Sequence, residues 1–158
     1  MSVFHSISAF CNAGFDILGT TDHTFVSLTG YSRNIWLNIV IMLLIILGGI
    51  GFLTWEDFYT NKFKFKRYRM QSKVILITTA ILIIAPAVFF FACDFGNLPA
   101  GKRLLASVFQ SVTTRTAGFN TEDLSLMTEA GKAVMILLML IGGSPSSTAC
   151  LLYTSDAA

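Results

Sequence analysis

Hydrophobic positions along this chain run in long uncharged blocks instead of alternating with polar ones. From Ile35 to Trp55 there is no charged residue, and at ~1.5 Å per residue a helix of that length crosses a hydrocarbon layer of ~30 Å. The pattern predicts a transmembrane helix over Ile35–Trp55, with Gly48, Gly49 and Gly51 near its end serving close helix packing more than a bend. Val74–Phe91 is also uncharged and predicts a second span, where neighbouring helices absorb the kink of Pro86. A third apolar run, Ala133–Ile141, has about half the length needed to cross before it meets small and polar residues. Either that helix breaks at mid-membrane or the span continues through them.

Between the two spans lie Lys62, Lys64, Lys66, Arg67, Arg69 and Lys73, six of the chain's eleven basic residues. The bias of such residues toward the cytoplasm places loop 62–73 inside. Segments 1–34 and 92–131 then share the outer face. Phe63, Phe65 and Tyr68 interleave with the basic residues, but beside two spans they read as a membrane-surface loop and not a nucleic-acid patch. Composition agrees: 54% of residues are hydrophobic and 13% charged, against about a quarter charged in soluble domains, and mean hydropathy is +0.68. Cys11, Cys93 and Cys150 show neither metal-ligand nor disulfide-framework spacing.

The two outer segments resemble each other. FHSISAFCNAGFD begins at Phe4 and FQSVTTRTAGFNT at Phe109; the second Ala-Gly-Phe triplet follows the first by 104 positions, from Ala13 to Ala117. Aligning the Phe-x-Ser beginnings leaves one extra residue in the first copy. Each triplet follows an apolar stretch of about ten residues, such as Leu104–Thr113, enough for a short helix but not for a crossing. Irregular backbone at membrane depth survives only against protein or a water-filled path. Glycine reaches positive φ freely, which lets successive carbonyls face one way and replace a cation's hydration shell. His5 and Gln110 take matching places behind the loops, as packing residues and not metal ligands. Arg115, a cation beside a proposed cation path, is expected to reach a carbonyl or carboxylate.

These residues resemble the Trk/Ktr/HKT superfamily of potassium transporters, whose subunit joins four helix–pore loop–helix repeats. Ser8–Phe15 is similar to the second-repeat filter and Thr113–Thr121 to the third. The resemblance implies an all-α membrane fold: 1–55 as second-repeat pore helix, filter loop and outgoing helix; 56–73 as the cytoplasmic loop; 74–149 as incoming helix, pore loop and start of a broken outgoing helix; 150–158 as a tail outside the family pattern. The chain thus reads as a central piece with two of four filter strands. The resemblance further implies a selectivity filter at Asn12, Ala13, Gly14, Phe15, Thr116, Ala117, Gly118 and Phe119, holding potassium by backbone carbonyls. It implies a gate loop at Gly142, Gly143, Ser144, Pro145, Ser146, Ser147 and Thr148. Pro145 removes a backbone donor and glycine lowers helix propensity, so a break there has its own cause.

The function implied is potassium uptake across the plasma membrane by a multi-pass subunit, with K+ as transported ion and no cofactor. Expected partners are membrane lipid, a second copy in a homodimer and a cytosolic nucleotide-binding regulatory ring, with no nucleic acid. One alternative is a secondary transporter with re-entrant hairpins, which predicts inverted repeats, whereas these copies run the same way. Another is a membrane-embedded enzyme, which needs a catalytic set that neither span contains, both lacking His, Asp and Glu.

Overall fold

The computed structural model describes residues 2–19, 27–31, 34–61, 67–96, 99–121, 127–144 and 147–148. Among these residues all regular structure is helical: α1 (Ser2–Phe10), a 3-10 turn at Thr29–Tyr31, α2 (Ile35–Ile50), α3 (Phe52–Asn61), α4 (Met70–Cys93), α5 (Ala100–Thr116) and α6 (Glu129–Ile141). Lys62, Lys64 and Lys66, Pro145 and Ser146, and the tail from Cys150 lie outside the described residues.

The first span differs from the expectation of one helix over Ile35–Trp55. Asn34 caps its start by accepting from Leu37 N–H. The helix then stops at Ile50, because Gly51 takes φ 93° and ψ 148°, a conformation only glycine adopts without strain. There α2 turns by 93° into α3. Trp55 reaches back across the bend, its indole Nε1 donating to Leu47 O at 3.1 Å, which satisfies a carbonyl near the broken end. Gly51 therefore makes a bend, while Gly48 serves close packing.

α4 runs Met70–Cys93, longer at both ends than the uncharged core, and is the one described helix long and apolar enough to cross a membrane unaided. Pro86 lies inside it and cannot donate to the carbonyl four residues back. Ser111 of α5 packs beside that site, its hydroxyl donating to Ile83 O at 2.7 Å and lying 3.4 Å from Leu82 O, the carbonyl Pro86 leaves free. At the other end of the same contact, Arg103 Nε donates to Phe91 O at 2.6 Å and its guanidinium stacks 4.5 Å from the Phe91 ring. Cationic donors at a helix C-terminus satisfy its last carbonyls and its dipole together.

α5 extends further than the expected Leu104–Thr113, because Pro99 starts it and the turn with Arg103 carries the α4 cap. At ~1.5 Å per residue it still falls short of a ~30 Å crossing. It stands between two apolar clusters. Phe109, Val112, Ala117 and Phe119 meet Ala9, Ile41 and Ile45 from α1 and α2; Ala106 meets Phe90, Met135 and Leu138 from α4 and α6. Its polar residues Ser107, Gln110, Ser111, Thr113 and Thr114 are buried too, and turn their hydrogens inward: Ser107 Oγ to Arg103 O, Thr114 Oγ1 to Gln110 O.

α6 ends at Ile141, about 20 Å from its start by ~1.5 Å per residue, and Gly142 follows with φ 63°. Among the described residues the helix does not continue through Gly142–Ser144. Its start is fixed by Thr128, which caps Gly131 N–H, and by Asp94, which accepts from both Thr128 N–H and Thr128 Oγ1. Gly131 leaves the space in which the Asp94 carboxylate sits.

On the side of loop 62–73, Asp57 of α3 clamps the start of α4. Its carboxylate accepts from Ser72 Oγ and from Arg69 N–H, and lies 3.4 Å from Arg69 Nε. The Ser72 hydrogen bond is the chief reason the Asp57 carboxyl is held below the usual carboxylate value of 3.8. A group with a lowered folded pKa stabilises above its unfolded value and loses that contribution as pH falls through the folded one. The clamp is thus complete at neutral pH and released only in acid, below 3.8. Asp57→Ala should open the α3–α4 junction at neutral pH, seen as faster cleavage within 62–69 by limited proteolysis. Wild type should match the variant only on acidification.

Candidate functional site

The C-terminal ends of α1 and α5 converge. Each helix gives way to a tight loop whose glycine has positive φ, Gly14 at 69° and Gly118 at 79°. The loops abut so closely that a Cβ on Gly14 would lie 1.8 Å from Ala117 O, whereas one on Gly118 would meet nothing within 4 Å. Two stretches a hundred residues apart are thus brought together at their Ala-Gly-Phe triplets.

Their internal bonding also repeats. In the first copy Ala13 N–H donates to Ser8 O at 2.9 Å, and in the second Gly118 N–H donates to Thr113 O at 3.0 Å, both spanning five residues. Ser8 Oγ donates to Phe15 O at 2.9 Å, and Thr113 Oγ1 to Phe119 O at 2.8 Å. The extra residue of the first copy is taken up at Asn12, which adopts φ 52°. Asn12 N–H bonds Ala9 O at 3.2 Å, so with the Ala13 bond it forms a Schellman cap with asparagine in the left-handed position.

Further ties fix both loops to the helices beside them. The Asn12 amide, with its NH2 toward Ile45 O at 3.2 Å and its oxygen toward Gly49 N at 3.3 Å, bridges one turn of α2. A Cβ on Gly48 would lie 1.9 Å from Phe10 O, so α1 ends directly on the bare backbone of α2. In the second copy, Asn120 N–H donates to Ser27 Oγ at 3.0 Å and Leu28 N–H to Asn120 O at 2.9 Å. Gln110 is buried against Thr114 and Met135, and the His5 ring packs edge-on to Phe4.

The described part of Gly142–Thr148 lies against the same glycine pair of α2. Ser144 Oγ donates to Gly49 O; Thr148 Oγ1 lies 2.9 Å from Phe10 O and 3.1 Å from Gly48 O. Ser147 Oγ closes onto Ser144 O at 2.7 Å. Arg115 is buried, and its Nε donates to Gly142 O at 3.2 Å, the carbonyl partner expected of it. The segment after α6 therefore touches the end of α1, the glycine face of α2 and the residue before Thr116. Of the residues singled out from sequence, Asn12–Phe15 and Thr116–Phe119 come together, with Gly142, Ser144 and Thr148 adjoining them. Ser8, Thr113 and Thr148 were not marked for these contacts, although a hydroxyl recurs at the first two places of the aligned copies.

The family model described as a cation transport protein, TrkH, matches residues 1–154, including the first residues of the segment set apart as a tail. The potassium/sodium uptake protein NtpJ of Enterococcus hirae is 40% identical over 153 residues, which cover 94% of this chain and 32% of that protein. Ktr system potassium uptake protein B of Vibrio alginolyticus is 36% identical, covering 93% and 32%, and that of Bacillus subtilis 38%, covering 94% and 33%. The chain spans about a third of the length of these curated relatives.

The contact of Phe10 O with Gly48 makes a measurable demand. Gly48→Ala forces α1 off α2 and should lower stability by about 1–3 kcal/mol, the usual cost of overpacking. Gly30→Ala, where a Cβ meets nothing within 4 Å, should leave the melting temperature of the detergent-solubilised full-length protein within about a degree of wild type, since exposed sites cost little.

Proposed function

This chain belongs to the TrkH family of cation transport proteins, and from that premise we propose that it forms the central part of the ion path of a potassium-uptake subunit. The observation that carries the proposal is the meeting of Gly14 and Ala117 O, which sets two like loops side by side at the ends of two short helices. Asn12–Phe15 and Thr116–Phe119 supply filter backbone, and their carbonyls stand in for water around K+. The C-terminal ends of α1 and α5 turn the negative ends of their dipoles toward the same place. The transported ion is the only ligand required, and the chemistry is transport and not catalysis.

In this reading residues 1–55 are the second repeat from its pore helix onward, 56–73 the cytoplasmic connection, and 74–149 the third repeat as far as its broken outgoing helix. Loop 62–73 faces the cytoplasm and both filter loops lie on the outer side of the plasma membrane. Gly142–Thr148 obstructs the path beneath the filter until it moves. A second copy and a cytosolic nucleotide-binding ring complete the assembly, the ring on the inner face.

Glycine 118 offers the cleaner test of the filter, because a side chain there has open space and only the positive φ is penalised. In the full-length protein Gly118→Ser should lower potassium preference over sodium roughly tenfold, the order expected from ~1–2 kcal/mol of left-handed strain. Potassium flux with sodium competition measures it, and unchanged discrimination removes Gly118 from the filter.

The segment after α6 gives a separate expectation. Deleting Gly142–Ser146 should raise potassium flux per folded molecule, since it removes an obstruction. A helix terminus or a continuous span instead predicts unchanged or reduced flux.

A further inference from the structure

Resting on that reading, we infer that Ser8 and Thr113 are filter-positioning residues: in each copy one hydroxyl draws the phenylalanine carbonyl back to its own helix, leaving the carbonyls ahead of it to face the ion. Ser8 Oγ reaches Phe15 O at 2.9 Å and Thr113 Oγ1 reaches Phe119 O at 2.8 Å. These are ordinary, well-formed hydrogen bonds. Both donors are buried, Ser8 at 6% and Thr113 at 1% exposure; the Thr113 bond is itself buried and the Ser8 bond partly so.

Each of the two residues holds its loop twice. Its own carbonyl accepts the N–H five residues on, at 2.9 Å in the first copy and 3.0 Å in the second; its hydroxyl takes the carbonyl beyond the glycine. The glycine turn is clasped at both ends by one side chain and its backbone. The first loop is one residue longer, and the left-handed Asn12 absorbs the difference. That the same two bonds form across loops of different length separates them from accidents of local packing.

The chemistry explains the residue type. A hydroxyl is a short neutral donor, so it fixes a carbonyl without placing a charge beside a cation path. A carbonyl engaged by a donor on the helix side is turned from the axis and is a poorer cation ligand than its free neighbours. This narrows the filter segments proposed above: Phe15 and Phe119 act as anchors, and the coordinating carbonyls come from the residues before them in each loop. The Phe119 ring is itself fully buried beside Phe109 and Ala117, consistent with an anchoring part.

The test uses the full-length protein in a potassium-uptake-deficient host and after reconstitution. Ser8→Ala and Thr113→Val remove the hydroxyl, and Thr113→Ser keeps it. For folded protein, each removal should lower potassium preference over sodium by about fivefold and raise KM for potassium, the fold expected for one lost hydrogen bond; Thr113→Ser should stay near wild type. A merely structural role would lower the amount of folded protein and leave the preference of the remainder unchanged. Should Thr113→Val fail to fold, Thr113→Cys keeps the size, weakens the donor and must show the same loss of preference. Wild-type preference in the hydroxyl-free variants, or equal loss in Thr113→Ser and Thr113→Val, overturns the inference while selective wild-type uptake leaves the transport reading intact. A wild type that moves no potassium overturns both.

Discussion

A carbonyl that leaves its helix at membrane depth has no water to turn to, and each such group left unpaired costs several kcal/mol. Several breaks among the described residues are built around that constraint. Beside Pro86, Ser111 sets a hydroxyl on Ile83 O and near the freed Leu82 O; α4 ends and Arg103 covers its last carbonyls; α2 breaks at Gly51 and Trp55 bridges to Leu47 O. After α6, Arg115 takes Gly142 O and Ser144 takes Gly49 O. The donors come from the neighbouring element, or across the bend, so satisfying the backbone also sets the packing.

This is why α5 is both polar and central. Hydrophobic burial gives little drive to association among helices already surrounded by lipid, where close packing and interhelical hydrogen bonds take its place. α5 presents Phe109 and Val112 to one cluster and Ala106 to the other, while Ser107, Ser111, Thr113 and Thr114 dispose of their hydroxyls on carbonyls. Glycine performs the complementary task. Gly48 admits Phe10 O, Gly14 admits Ala117 O and Gly131 admits the Asp94 carboxylate, each a contact that a methyl group would prevent.

The α4 span and the two glycine loops were legible in the sequence because they rest on local facts: uncharged length, and the residue that alone enters positive φ freely. The break after Ile141 was legible as one of two courses, from a run too short to cross. The bend at Gly51 was legible only as the less favoured use of its glycine, since the uncharged pattern continues to Trp55 and hydropathy carries no record of φ. Nor were the ties of Thr148 to Phe10 or Asp94 to Thr128, which depend on residues distant in the chain meeting in space. Ser8 and Thr113 fall between these cases: the repeated hydroxyl was visible, but its acceptor was visible only once the loops had closed.

Thr148 carries one hydroxyl proton and stands within reach of two carbonyls, Phe10 O at 2.9 Å and Gly48 O at 3.1 Å. Rotation about a single side-chain bond passes that proton from one acceptor to the other. The end of α1 and the face of α2 are therefore joined to the segment after α6 through one hydroxyl that has two acceptors for its single proton.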